Sequence, residues 1–127
     1  MTDPASPATL VPSSVTAQLG DLFGQLEPAG PRVGADVGDP MMSSRVIHAH
    51  GPVEVGVWEC TPGGWAIVRR GNTETVHILG GAGTITDVDG TVRALRPGVT
   101  LVLPLGWSGR WDISETLRKL YVTVDGA

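Results

Sequence analysis

The sequence predicts an all-β domain, and three observations carry this prediction. Short apolar stretches with alternating hydrophobicity recur through residues 44–127 at intervals of about 8–12 residues, which is typical of a sandwich or barrel. Gly (18) and Pro (10) supply about a fifth of the 127 residues, and both favour tight turns. Turn pairs such as Pro62-Gly63 and Asp89-Gly90 separate the apolar stretches. A single domain of short, turn-linked strands follows.

The first 43 residues differ from the rest of the chain in composition and in the spacing of their apolar residues. Residues 1–12 are rich in Pro, Ala, Ser and Thr, so we expect a disordered tail. Apolar residues at helical spacing predict a helix over about residues 14–26: Val15, Leu19, Leu22, Phe23 and Leu26. Gly20 and Gly24 weaken that helix, so it needs the barrel or a partner subunit to pack against. Residues 28–43 are expected to be an extended linker, which assigns residues 44–127 to the β domain.

Nine strands are predicted in the β domain, and residues 53–60 show the clearest alternation of apolar and other side chains. The sequence between Asp87 and Gly90 is typical of a hairpin turn. In order, the predicted strands are Arg45–His50, Val53–Cys60, Trp65–Arg70, Glu74–Leu79, Thr84–Asp87, Thr91–Leu95, Thr100–Leu103, Trp111–Ser114 and Leu117–Val124.

Charge and apolar content exclude several classes of partner. The formal net charge is −4 and no basic stripe is visible, so we expect no nucleic-acid partner. Cys60 is the only cysteine and cannot form an internal disulfide. The longest apolar stretch, Val99–Leu105, is too short to span a bilayer. We therefore expect a cytoplasmic protein with no membrane partner.

An ordered set of short segments carries a family resemblance. The segments are Trp58–Gly63 (WECTPG), Glu74–Gly81 (ETVHILGG), Thr84–Gly90 (TITDVDG), Arg96–Gly98, Pro104–Gly106, Trp111 and Arg118–Tyr121. Together they cover residues 52–124, about 60% of the chain, and resemble small single-domain cupins of the ureidoglycine aminohydrolase and ethanolamine-utilisation type. The resemblance implies a double-stranded β-helix, or jelly-roll barrel, preceded by the N-terminal helix. It also implies a homodimer.

The histidines of the cupin metal site are missing. The first pair falls on Val68 and Arg70, or on Ile67 and Arg69, and the third falls on Gly109. Of the four customary ligands only Glu74 remains, and one carboxylate does not hold a transition metal tightly. We therefore predict no metal and no cofactor. A weaker alternative keeps a metal on Glu74 with replacement ligands, namely His77 or His48 and His50.

Three residues are candidates for catalysis. The resemblance points Glu74 into the barrel, where a carboxylate is costly unless it is paired. Glu74 is therefore a general base or ligand anchor, or else one half of a buried ion pair with Arg70. Lys119 and Tyr121 share one strand face and are candidate proton donors to the cavity. Alternatively, they lie at a dimer contact.

The candidate ligand-binding residues are one arginine and several residues with aromatic rings. Arg70 is a candidate anion clamp, with a position on the rim as its alternative. Trp111 is expected to form a flat apolar wall beside space left at Gly109, unless neighbouring side chains fill it. Trp107 is a candidate lid near the barrel mouth. Trp65 and His77 complete the set, although Trp65 suits the core and His77 is on the strand face opposite Glu74.

The sequence favours two main functions, and both involve a small-molecule ligand. The first is a metal-independent lyase, isomerase or cyclase in which Glu74 is the acid/base for an elimination, isomerisation or cyclisation. The second is a non-catalytic ligand-binding or accessory subunit. A metal-dependent, aminohydrolase-like enzyme with replacement ligands is a third reading.

Overall fold

The computed structural model describes residues 11–127 and consists of one short helix and nine strands. The elements are α1 (Leu19–Phe23), β1 (Glu27–Pro31), β2 (Ala35–Val37), β3 (Met41–His50), β4 (Val53–Cys60), β5 (Gly63–Ile67), β6 (Asn72–Asp87), β7 (Val92–Leu95), β8 (Thr100–Leu103) and β9 (Gly109–Asp125). Every strand pairing is antiparallel. The strands curl into a jelly-roll barrel, which confirms the predicted fold class.

Two long strands, β6 and β9, join the halves of the barrel. The end of β9 pairs with β4 and its beginning pairs with β5. Strand β6 runs along β9 and also pairs with β8 and β7. At Gly81 φ is +87°, and a Cβ there would lie 2.0 Å from the Thr116 carbonyl oxygen. Glycine therefore allows β6 to bend at the point where two separate strands were predicted.

The N-terminal region differs from the expectation. Helix α1 has five residues, within the predicted 14–26, because Gly20 and Gly24 disfavour a longer one. Residues 28–43, expected to be a linker, contribute to three strands: β1 pairs with β3, and β2 pairs with β5. These pairings are made by backbone groups, which side-chain alternation does not reveal. The predicted disordered tail falls largely on residues 1–10, outside the described residues.

Arg118 holds the N-terminal segment against the barrel. Its Nη1 donates to the carbonyl oxygens of Leu22 at 2.9 Å and Gly24 at 2.8 Å, at the end of α1. A cation at this position also interacts favourably with the negative end of a helix. Within residues 11–127, no helix is long and apolar enough to cross a membrane.

The core fills the barrel interior only in part. Buried apolar side chains come from β4, β5, β6, β7, β8 and β9, and include Cys60, Val76, Ile78, Ile85, Leu95, Leu103 and Leu117. Among the described residues, the buried charged side chains are Glu74 and Lys119. Burying two charges is unfavourable unless each is paired, so their environment marks the candidate site.

Candidate ligand-binding site

Inward-facing side chains line an open cavity of about 480 Å³ in the barrel. Alternate residues of each strand point inward, so Glu54 and Trp58 of β4 share the cavity with Lys119 and Tyr121 of β9. The volume lies in the range of pockets that bind small molecules. The lining residues are Ala29, Arg32, Met42, Ser44, Glu54, Trp58, Trp65, Ile67, Arg70, Asn72, Glu74, Trp111, Lys119, Tyr121, Thr123 and Asp125.

A cluster of three ions, Glu74, Lys119 and Arg70, lies in the cavity wall. Lys119 Nζ donates to Glu74 Oε2 at 2.7 Å, and Arg70 Nη2 is 3.2 Å from Glu74 Oε1. The three side chains are 5%, 8% and 15% exposed for Glu74, Lys119 and Arg70. Each carboxylate oxygen therefore faces a cation, and the cluster as a whole carries one positive charge. The predicted pair of Glu74 with Arg70 is present, and Lys119 joins it.

Arg70 is oriented by the loop between β5 and β6. The chain turns at Arg69, whose φ is +52°, and the Arg70 amide donates to the Trp107 carbonyl at 2.9 Å. Arg70 Nε and Nη2 donate to Asn72 Oδ1 at 3.1 and 2.8 Å. In the part of the chain that the structure describes, Nη1 has no hydrogen-bond partner. Arg70 therefore keeps the two N–H groups of Nη1 available for a ligand.

Three tryptophans form an aromatic wall next to the ion cluster. The ring centroids of Trp58, Trp65 and Trp111 are 6.2 Å apart in each pair, and Trp65 stacks on Trp111 at 14°. Lys119 Nζ lies 4.4 Å from the Trp58 centroid and 4.5 Å from that of Trp111. These cation–π contacts partly replace the water that the ammonium group loses on burial.

Arg32 is a second cation at this wall. Its Cζ lies 5.0 Å from the centroid of Trp65, and its Nη1 donates to the Val33 carbonyl oxygen. No carboxylate of residues 11–127 lies within 4.0 Å of its guanidinium. Arg32 therefore offers the cavity a positive charge without a counter-ion.

Burial dominates the electrostatics of Lys119. Desolvation lowers the pKa of its amine, while the Glu74 carboxylate opposes this shift and Arg70 adds to it. A lowered pKa favours the uncharged amine, so Lys119 gives up its proton more readily than a surface lysine does.

Tyr121 lines the cavity but its hydroxyl is directed to Glu54. Its Oη donates to Glu54 Oε2 at 2.6 Å, and burial, followed by this bond, raises the pKa of Tyr121 well above its usual value. The hydroxyl lies over Gly56, where a Cβ would be 2.5 Å from Oη. Tyr121 therefore orders Glu54 at one end of the cavity, and no hydrogen bond joins it to Glu74 in the described structure.

Two of the predicted binding residues lie outside the cavity lining. Trp107 Nε1 donates to Asp87 Oδ1 at 2.9 Å, and its ring covers Gly109, where a Cβ would be 2.2 Å from Cζ2. The space expected at Gly109 is thus filled by a neighbouring side chain. His77 is on the strand face opposite Glu74, with Nδ1 2.8 Å from Thr100 Oγ1. In this structure, neither side chain contributes to the cavity.

The sequence did not predict seven polar or aromatic residues of the cavity: Arg32, Ser44, Glu54, Trp58, Asn72, Thr123 and Asp125. Glu54 and Trp58 have the same strand parity, so a signal for them existed once the inward face of β4 was known. Arg32 follows β1, in a region that was expected to be a linker. No local sequence pattern predicted that Arg32 would lie in the cavity.

The residues at the site do not fit the transition metal that the fold implies. Within residues 11–127, no group of three His, Cys, Asp or Glu side chains is placed to hold a metal ion. Both oxygens of Glu74 already face cations, which would repel a metal. His48 and His50 are exposed on β3, and His77 is on the outer face. The replacement ligands considered from the sequence are therefore not assembled around Glu74.

An antiparallel jelly roll with a cavity lined by its inward-facing side chains is the architecture of the cupins. Within that class, the chain belongs to the EutQ-like cupin family, because residues 48–121 match the model of the EutQ-like cupin domain. This confirms the resemblance to ethanolamine-utilisation cupins. The closer comparison with ureidoglycine aminohydrolase stays a prediction. No curated protein shows significant sequence similarity to the chain.

Solved structures share this fold at low sequence identity. A Pseudomonas syringae protein of unknown function superposes with a TM-score of 0.75 at 19% identity, over 82% of this chain and 46% of its own. The chain therefore spans about half the length of that protein. Clostridium difficile EutQ gives 0.59 at 16% identity, over 68% and 70%. Ectoine synthase from P. lautus gives 0.63 at 14% identity, over 88% and 78%.

Proposed function

We propose that this protein binds a small organic anion in its barrel cavity and does so without a transition metal. One observation carries the proposal: the Glu74 carboxylate contacts two cations, which leaves a surplus positive charge at this ion cluster in the cavity wall. Arg32 adds a second unpaired positive charge at the aromatic wall. A buried surplus charge is unfavourable by itself, and an anionic ligand would neutralise it.

The acidic residues of the cavity narrow the ligand class. Glu54 and Asp125 also line the cavity, and each already accepts a hydrogen bond, from Tyr121 and Asn72 respectively. They lie near the first residue of β4 and at the last residue of β9, away from the tryptophan wall. Their charge disfavours a second acidic group at that end. The preferred ligand is therefore a monoanion.

The tryptophan wall favours a ligand with a flat or apolar part. Trp58, Trp65 and Trp111 all line one cavity, and Trp65 already stacks on Trp111 in the manner that a planar ligand would extend. A guanidinium against a ring, as in Arg32 over Trp65, is arranged to receive a carboxylate at the edge of the same wall.

Binding of an aromatic acid and of its amide tests this proposal. We expect phenylacetate, but not phenylacetamide, to raise the melting temperature and to change tryptophan fluorescence. Arg32→Gln should weaken binding by about ten-fold, because one charge-assisted contact is lost. Arg93→Gln is the matched control, since Arg93 pairs with Asp87 outside the cavity. Equal binding of acid and amide, or equal effects of the two variants, would contradict the proposal.

Acid/base catalysis is a second candidate function, favoured by the 2.7 Å contact of Lys119 with Glu74. A proton shared by this pair could serve a metal-independent isomerisation, elimination or cyclisation. Glu74→Gln should then abolish turnover of a ligand that is chemically altered by the wild-type protein. A ligand recovered unchanged after long incubation would instead support a binding or accessory subunit.

We also propose that the protein is a homodimer in the cytoplasm. Leu19 and Phe23 of the N-terminal helix and the preceding Val15 are exposed in the single chain, and a second subunit would cover such side chains. Light scattering should give twice the mass of one chain. A mass equal to one chain at micromolar concentration would contradict the dimer.

A further inference from the structure

Lys119 is the only lysine in the sequence, and it lies inside the cavity. Every other basic side chain of the Lys/Arg type is an arginine, including all of those on the surface. We propose that Lys119 forms a reversible imine with the carbonyl group of a small oxo acid bound in the cavity. This inference rests on the proposed function, because the oxo acid is one member of the organic anions that the cavity is proposed to bind.

The surroundings of Lys119 meet the requirements for an amine nucleophile. The side chain is buried and Nζ lies 4.4 and 4.5 Å from the centroids of Trp58 and Trp111, which shield it from water. Glu74 Oε2, at 2.7 Å, is placed to accept a proton from the ammonium form. Desolvation is the largest influence on the amine and lowers its pKa, the Glu74 carboxylate opposes this shift, and the Arg70 charge adds to it. Desolvation and a neighbouring cation are the two influences that activate lysines as nucleophiles.

Glu74 accounts for every proton that imine formation moves. It first takes a proton from the Lys119 ammonium, and the freed lone pair attacks the carbonyl carbon, so a C–N bond forms while the C=O π electrons pass to oxygen. Glu74 returns the proton to that oxygen and then takes a second proton from nitrogen. It delivers this proton to the hydroxyl group, which leaves as water while the nitrogen lone pair forms the C=N bond. The ammonium becomes an iminium of equal charge, and no oxidant or reductant is needed.

Arg70 favours a carbonyl compound that also carries a carboxylate. Arg70 and Lys119 contact different oxygens of the same Glu74 carboxylate, so the guanidinium is a neighbour of the amine. Nη1 of Arg70 has no partner among the described residues. A 2-oxo acid has its carboxylate directly bonded to its carbonyl carbon, which suits two cations held next to each other.

Reductive trapping with pyruvate tests the imine. The protein is incubated with pyruvate and sodium cyanoborohydride, and the adduct is located by peptide mass spectrometry. We expect one lysine adduct, on Lys119, with no adduct at position 119 when lactate replaces pyruvate and none there in Lys119→Arg, which keeps the charge. Melting temperature and tryptophan fluorescence verify that the variant is folded, and Lys119→Met provides a second amine-free variant.

A surface lysine provides the matched control for activation. In the double variant Lys119→Arg/Arg93→Lys, the single lysine is moved to an exposed site. Trapping at neutral pH should be at least about ten-fold slower there, because pyruvate is not held against an amine outside the cavity. Equal trapping rates at the two positions would overturn the proposal.

Binding of pyruvate and lactate, measured by tryptophan fluorescence, distinguishes failure of this inference from failure of the proposed function. If both acids bind but pyruvate leaves no adduct, or an adduct only on the N-terminal α-amine, the imine is overturned and anion binding stands. If neither these acids nor phenylacetate bind and no adduct forms, both proposals fall. Saturable binding together with an adduct on Lys119 supports both.

Discussion

Two ion clusters of this barrel have the same arrangement with opposite signs. Inside, the Glu74 carboxylate lies between the Lys119 and Arg70 cations. Outside, the Arg110 guanidinium lies between two carboxylates, with Nη2 2.6 Å from Asp36 Oδ1 and Nε 3.1 Å from Asp112 Oδ2. The outer side chains of Arg110, Asp36 and Asp112 are 30%, 60% and 41% exposed, whereas the inner three are nearly excluded from solvent.

The difference in exposure gives the two clusters different roles. Water screens the outer ions, so their mutual attraction contributes little stability and serves chiefly to hold β2 against β9. The inner ions have lost most of their water, and apolar side chains of similar volume would stabilise the barrel at least as well. An ion cluster in a cavity wall is therefore better explained by binding or proton transfer than by stability.

Removal of the Glu74 charge should produce the largest effect. Glu74→Gln leaves Lys119 and Arg70 as buried neighbours of like charge, which should lower the free energy of unfolding by about 3–5 kcal/mol. Urea denaturation measures this change. Adding Lys119→Met to Glu74→Gln should recover part of the loss, because one of the two unpaired cations is then removed. No recovery in the double variant would show that Glu74 acts without Lys119.

Cys60, in the core, should have a smaller effect on the free energy of unfolding, and this effect should depend on pH. Burial raises the pKa of its thiol from about 9 in the unfolded chain to about 11. In alkaline solution the unfolded chain therefore releases this proton first, so stability falls as the pH rises through this window. From about pH 8 to about pH 10.5, the wild type should lose up to about 2 kcal/mol more than Cys60→Ala. Parallel pH profiles of the two proteins would contradict a buried thiol.

Asp36→Asn should have the smallest effect of the three. Its hydrogen bond to Arg110 lowers the pKa of the Asp36 carboxyl, so its contribution is present above the ordinary pKa of an aspartate. That contribution is lost as the pH falls through the folded-state value. At neutral pH we expect a change within the error of urea denaturation, and no difference from wild type in acid. A loss as large as that of Glu74→Gln would remove the distinction between the two clusters.

The candidate site was predictable only where strand parity and the family resemblance decided it. Glu74 shares a strand face with Val76 and Ile78, and the cupin resemblance points that face into the barrel. Arg70 pairs with Glu74 as expected, but it does so from the loop between β5 and β6. Trp65 and Trp111 were also anticipated and do line the cavity. Trp107 and His77 were anticipated at the site but lie elsewhere, because neither motif position nor residue type specifies which wall a loop or strand face meets.

The amino-acid sequence alone determined the all-β class, the cupin resemblance and the loss of the metal-binding histidines. These properties depend on local alternation, turn residues and motif spacing, which a linear pattern records. The contact of Lys119 with Glu74, 45 residues away in the chain, and the approach of Arg32 to Trp65 were decided by the tertiary structure. The first contact arises where β6 pairs with β9, and the second where the residue after β1 lies over Trp65 of β5, so no local pattern of residues encodes them.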